Sequence, residues 1–193
     1  MNKLICLCGG SGCGKDTLAQ MITDRYDIDV LVSHTTRPMR KGEINGKTYH
    51  FVDDNTFNEL EDSNNIVASR KYNTEFGVWK YGLSVEEIDS KLSKSHCVTI
   101  VDMGGLEQLK AKYGDQIVSV YLYLDKDTRA ERYVNRDKVT FDGLKECIRR
   151  IEDDEIVFKD ARFKTDLSFY NRNTRQTFDQ LKLALRRYDI ELG

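Results

Sequence analysis

Proline is nearly absent from this chain, with one residue, Pro38, in 193. That scarcity argues against stiff Pro-rich linkers and extended recognition tracts, which depend on repeated pyrrolidine rings. No apolar stretch approaches the roughly 20 residues that span a bilayer, so no membrane partner is expected. The short run Leu4-Ile5-Cys6-Leu7-Cys8 leads into glycines and Lys15 without a small-residue cleavage site, and reads as a strand rather than an export signal. Net charge is scarce too: 30 Lys and Arg against 32 Asp and Glu leave −2, giving no general attraction to nucleic acid or anionic lipid. Any anion must therefore be held by local clusters of Arg and Lys. The five cysteines, Cys6, Cys8, Cys13, Cys97 and Cys147, are an odd set without metal or redox spacing. Reduced thiols in the cytoplasm are expected, with Cys6 and Cys8 sharing one face of a strand.

What is present fits one compact α/β unit. Hydrophobic residues make up 39 % and charged residues 32 %, the balance of a folded chain rather than a disordered one. β-branched and apolar runs recur at residues 4–8, 29–33, 98–103, 117–124 and 166–170, with helical periodicity over 16–25 and 141–158. This alternation predicts a parallel sheet covered by helices. Residues 35–81 differ, with polar turns and scattered Tyr and Phe, and read as a small lobe of short strands. Ser84-Val85-Glu86-Glu87 has the form of a capping box and opens a helix through Leu92.

Gly9-Gly10-Ser11-Gly12-Cys13-Gly14-Lys15-Asp16-Thr17 follows the first strand and opens the first helix, the context a phosphate loop requires. Glycines let successive amides point inward, the helix N-terminus adds positive potential, and Lys15 neutralises β- and γ-phosphates of ATP. The strict pattern places Ser or Thr directly after the lysine as a Mg²⁺ ligand, whereas here Asp16 precedes Thr17. Either residue is a candidate to hold the ion, directly or through water, since a carboxylate beside phosphates is repulsive unless a cation intervenes.

The segment from Ser33 to Phe51, containing Thr35-Thr36-Arg37-Pro38-Met39-Arg40-Lys41-Gly42-Glu43 and Tyr49, resembles the acceptor-binding segment of guanylate kinases. Arg37 and Arg40 have the spacing to fork onto phosphate oxygens from one loop, and Tyr49 adds a hydroxyl. The resemblance implies that these three grip the acceptor monophosphate, that Ser33 and Tyr81 lie beside it, and that Asp102 orders the acceptor or Mg²⁺. It places Asn171 near the adenine of ATP. It also implies a lid whose arginines, matching Arg132, Arg136 and Arg150, close over the phosphates, although Arg136-Asp137-Lys138 replaces the usual Arg-Gly-Thr. The expected organisation is a P-loop nucleotide kinase fold: core at 1–33 and 84–193, acceptor lobe at about 34–83, lid at about 129–150.

Three base-selecting features of that family are missing. The lobe glutamate's place falls near Ala68 or Ser69, Leu83 stands after Tyr81-Gly82 where a hydroxyl residue is usual, and Met103-Gly104-Gly105 brings no second acid after Asp102. Asn73 or Glu75 are candidates for a relocated contact. GMP or dGMP is the expected acceptor, with another nucleoside monophosphate or a ribose bisphosphate as the alternative, since ribose bisphosphate phosphokinases share the Gly-Lys-Asp triplet. An inactive guanylate-kinase-like binding module is opposed by Lys15 and the complete glycine loop. A regulatory GTPase is opposed by the lack of an Asn-Lys-x-Asp motif. Small nucleotides are the expected partners, and oligomeric state is left open.

Overall fold

The computed structural model describes residues 1–40, 42–74, 77–136 and 141–191. From the N-terminus, β1 (Leu4–Cys8) runs into α1 (Lys15–Thr23) and β2 (Asp29–Val30). A lobe follows, made of β3 (His34–Thr35), β4 (His50–Phe51), α2 (Asp54–Asp62), β5 (Ile66–Thr74) and β6 (Gly77–Ser84). The chain then resumes with α3 (Val85–Leu92), β7 (Cys97–Ile100), α4 (Met103–Tyr113), β8 (Ile117–Tyr123) and α5 (Lys126–Arg136). Its last part holds α6 (Phe141–Val157), a short α7 (Ala161–Lys164), β9 (Leu167–Tyr170) and α8 (Thr174–Leu185).

The main sheet has the order β2-β7-β1-β8-β9 with every pairing parallel. Its central strand is continuously apolar because both faces are covered. Alternate residues of β1 feed two cores: Ile5 and Leu7 pack with Leu18, Ile22 and Phe178, while Leu4, Cys6 and Cys8 pack with Ile88, Leu106 and Leu109. All five cysteines are buried and free. At the sheet edge, the Ser119 amide donates to Asp166 at 2.8 Å, and the Ser119 hydroxyl donates to the same carboxylate oxygen. No helix among the described residues is long and apolar enough to cross a membrane.

The lobe carries its own sheet, β4-β3-β6-β5. Two local features differ from expectation. The strand read over 29–33 ends at Val30, because by Ser33 the chain has exchanged β7 for the lobe and its carbonyl accepts from the His50 amide at 2.9 Å. Helix α2 carries little signal in the sequence, since Phe57 and Leu60 are its only apolar residues and only Phe57 is buried, although Asp53 caps it by accepting from the Thr56 amide at 2.7 Å. Ser84 does cap α3, accepting from the Glu87 amide at 3.2 Å. The reciprocal half of the box is replaced, since Glu87 instead accepts from Lys91 at 2.7 Å.

β5 fastens the lobe to the core. The Ser69 amide donates to Gln108 Oε1 at 3.0 Å and Gln108 Nε2 donates back to the Ser69 carbonyl at 3.2 Å. The β5–β6 register shifts between Val67 and Arg70, and Ala68 adopts φ 55°. A bulge of this kind re-aims the side chains that follow it.

Candidate active site

The loop of residues 9–14 lies at the C-terminal end of β1, in the crevice where parallel α/β sheets bind ligands. Gly9 has φ 149°, and a Cβ there would lie 2.3 Å from the Leu122 carbonyl oxygen, so no side chain fits. Gly14 has φ 85° and serves as the N-cap of α1; a Cβ there would lie 2.6 Å from Asn171 Nδ2. That nitrogen donates to the Cys13 carbonyl at 2.7 Å, and the Cys13 amide donates to the Gly10 carbonyl at 3.2 Å. Asn171 is fully buried, and its Oδ1 has no hydrogen-bond partner among the described residues. Lys15 folds back over the loop, donating to the Gly10 carbonyl at 3.0 Å. Asp16 and Thr17 stand exposed on the first turn of α1.

An ion pair between a buried arginine and a part-buried aspartate braces the loop from behind. Arg129, 4 % exposed, donates from Nε to the Ser11 carbonyl at 2.8 Å and pairs with Asp154. Asp154 in turn accepts from the Ser11 amide at 2.7 Å. Both backbone polar groups of Ser11 are thereby tied to α5 and α6. Asp154, 143 residues from Ser11, gives no signal of this contact in the sequence. Arg132 also serves the loop: it donates to the Gly12 carbonyl at 3.2 Å and to the carbonyls of Asn171 and Arg172 at 2.8 and 3.0 Å. Arg150 pairs with Glu146 of its own helix at 2.7 Å, as Arg149 does at 2.8 Å. In this arrangement that stretch of α6 is a salt-laced surface. The Arg136 side chain and residues 137–140 lie outside the described residues, as do Lys41, Glu75 and Phe76.

The second half of the candidate site is built from the lobe. Arg37 is 5 % exposed and donates to Glu43 Oε1 at 2.7 Å and to the Pro38 carbonyl at 2.8 Å. The Arg40 amide donates to Glu43 Oε2 at 2.7 Å, so this glutamate shapes the loop between the two arginines. The hydrogen bond from Arg37 holds the Glu43 carboxyl below its ordinary range. The Arg37 guanidinium lies 5.4 Å from the centre of the Tyr49 ring, and Tyr49, Tyr81 and Tyr72 follow in a row at 5.8 and 5.6 Å. At the end of the row Tyr72 donates to Asp102 at 3.0 Å, and Arg70 donates to the same carboxylate at 2.7 Å.

The positions weighed for base recognition carry no free acid. Ser69 donates to Glu61 at 2.6 Å, Ala68 is buried near Gly105, and Leu83 is 1 % exposed. Arg70 and Tyr72, neither singled out from the sequence, stand in this wall instead. Their signal was hidden because the bulge at Ala68 changes which residues of β5 face inward.

The two halves meet electrostatically. Burial pushes the Tyr49 phenol up, Tyr81 adds to that push, Arg37 opposes it, and Asp16 of the phosphate loop raises it further. Burial also lifts the Cys8 thiol to about 12, with Lys15 pulling down and Asp102 pushing up. In the parallel register Leu7 of β1 lies beside Ile100 of β7, so the phosphate loop after β1 and Asp102 after β7 stand at the same edge of the sheet.

As for a metal, no cluster of three or more Cys, His, Asp or Glu suited to one occurs among the described residues. Asp16 and Thr17 offer one carboxylate and one hydroxyl beside the loop, a donor set that suits Mg²⁺, which draws its other ligands from phosphates and water.

The chain matches the family model described as guanylate kinase over residues 1–188. It is 32 % identical over 146 residues to a guanylate kinase of Legionella pneumophila (strain Paris), covering 75 % of this chain and 68 % of that one. A guanylate kinase of Campylobacter jejuni (strain RM1221) is 26 % identical over 94 % of this chain and 87 % of its own. In fold, a crystal structure of guanylate kinase from Anaplasma phagocytophilum superposes with a TM-score of 0.69 at 21 % identity, over 98 % of this chain and 87 % of that one. With its phosphate loop, its arginine-tyrosine lobe and a match along nearly its whole length, the chain belongs to the guanylate kinase family.

Proposed function

We propose that this protein is an ATP-dependent nucleoside monophosphate kinase that transfers the γ-phosphoryl group of ATP to GMP or dGMP, giving ADP and the nucleoside diphosphate. The reading is carried by one observation: a glycine loop with no room for a side chain at Gly9 or Gly14, and with Lys15 folded back over it, opens α1 in a chain of the guanylate kinase family. Two anion sites facing each other suit in-line transfer, in which an acceptor phosphate oxygen attacks the γ-phosphorus and the β–γ bridging oxygen leaves with ADP.

In this reading the loop amides and Lys15 hold the donor phosphates, while Arg37, Arg40, Tyr49 and Tyr81 hold the acceptor phosphate, with Ser33 beside it. Asn171, with Oδ1 buried and open, is suited to accept from the adenine amino group. Asp16 or Thr17 would hold Mg²⁺, which would supply charge neutralisation for the phosphates. Arg132, Arg136 and Arg150 supply lid charge. Tight closure excludes water and so protects ATP from hydrolysis. The partners are small nucleotides, and a cytoplasmic setting fits five unpaired thiols.

The test is a steady-state assay with ATP against GMP, dGMP, AMP, UMP, dTMP and ribose 1,5-bisphosphate. GMP and dGMP should be the preferred acceptors. Preference for the ribose bisphosphate would overturn the acceptor assignment, and no transfer to any acceptor would favour a binding module.

A further inference from the structure

We infer that Arg70 reads the acceptor base, donating from Nη1 and Nη2 to the O6 and N7 edge of a 6-oxopurine, while Asp102 and Tyr72 position it. This rests on the acceptor reading above and names the atoms that would be recognised.

The backbone places Arg70 on the correct wall. After the bulge, Arg70 is paired with Tyr81 across the β5–β6 ladder, so the two share a face, and Tyr72 two residues on shares it too. Tyr81 contacts Tyr49, which underlies Arg37. The wall thus runs continuously from the phosphate clamp to Arg70.

The hydrogen bonding assigns the roles. Asp102 Oδ1 accepts from Arg70 Nε at 2.9 Å and from the Gly105 amide at 2.8 Å. Its Oδ2 accepts from Arg70 Nε at 2.7 Å and from the Tyr72 hydroxyl at 3.0 Å. Three donors, with the single Nε–H shared between both oxygens, occupy most of the roughly four acceptor positions of a carboxylate, which leaves Asp102 little to offer a base N–H or a metal-bound water. Arg70, by contrast, has no hydrogen-bond partner for Nη1 or Nη2 among the described residues, and its side chain is 39 % exposed. Its plane is fixed from one side by Gly104, where a Cβ would lie 2.3 to 2.5 Å from Nη2, Cζ and Nη1. Only a glycine at the start of α4 admits the guanidinium this closely.

Charge selects among ligands. Asp102 neutralises Arg70 and Glu107 also acts on it, so the cluster has no surplus positive charge to draw a second phosphate. A neutral edge with two adjacent acceptors fits better. Guanine offers O6 and N7 to a guanidinium fork, whereas adenine turns an amino donor toward the same place.

The experiment compares GMP with 7-deaza-GMP, which has C–H in place of N7, in the full chain and in Arg70→Met at saturating ATP. In the unmodified protein 7-deaza-GMP should lose roughly 10-fold in kcat/KM. Arg70→Met should lose roughly 10- to 100-fold with GMP, mainly in KM, keep the KM for ATP, and use GMP and 7-deaza-GMP within about twofold of each other. A merely structural Arg70 would leave the ratio of the two acceptors unchanged in the variant, and that result would overturn the inference. Equal use of both by the unmodified protein would overturn it without any variant and would leave the kinase reading intact. Failure of every nucleoside monophosphate as acceptor would overturn both.

Discussion

Arg129 shows how a single side chain can set the shape of an anion site without touching the anion. It is buried behind Ser11 against a part-buried Asp154, with the exposed Glu155 at 3.4 Å, and removing one partner would leave the other poorly paired. Arg129→Ala should therefore cost about 1–3 kcal/mol in chemical denaturation and weaken ATP binding as the loop loses its brace. The pair of changes Arg129→Leu with Asp154→Leu should cost much less in stability, because no charge is left unpaired. A single variant no less stable than the double would contradict this. At the front of the loop, Lys15→Ala should lower kcat by about 10²- to 10³-fold or more with the fold retained. Arg37→Ala should raise the KM for acceptor while sparing that for ATP, and an equal loss of ATP affinity would argue against the division of labour.

At the scale of elements, β9 is held to β8 partly through one carboxylate. Burial pushes the Asp166 carboxyl up, yet donations from the Ser119 hydroxyl and amide, with Lys110 nearby, outweigh it and hold the group below its ordinary range. The folded state thus resists protonation more than the unfolded chain does. This contribution to stability is present above the ordinary carboxylate pKa of about 4 and is lost as pH falls through the lower folded value. Asp166→Ala should cost about 1–3 kcal/mol near neutrality and make the stability profile shallower below about pH 4. Asp166→Asn should cost less, since one oxygen receives both Ser119 donations and an amide oxygen can replace it. A profile with undiminished slope in the alanine variant would place the acid sensitivity elsewhere.

Over the whole molecule, what could be read from the sequence was what depends on neighbours along the chain. The phosphate loop is contiguous from Gly9 to Thr17, and the alternation of apolar strands and amphipathic helices announces the parallel sheet. Arg37, Arg40 and Tyr49 lie within one short segment and were legible for the same reason. Contacts made by folding were not. Asp154 meets Ser11 across 143 residues, and Arg70 meets Asp102 across 32. The bulge at Ala68 overrode simple alternation in β5, and α2 escaped notice because it rests on a single buried phenylalanine. The central claim is that donor and acceptor pockets adjoin. Its most direct test is calorimetric titration with a bridged ligand, adenosine and guanosine joined through a pentaphosphate. One molecule should bind per chain, roughly 10²-fold or more tightly than ATP or GMP alone, because the second pocket is filled at high effective concentration. Binding no tighter than ATP, or two bridged molecules on one chain, would contradict it.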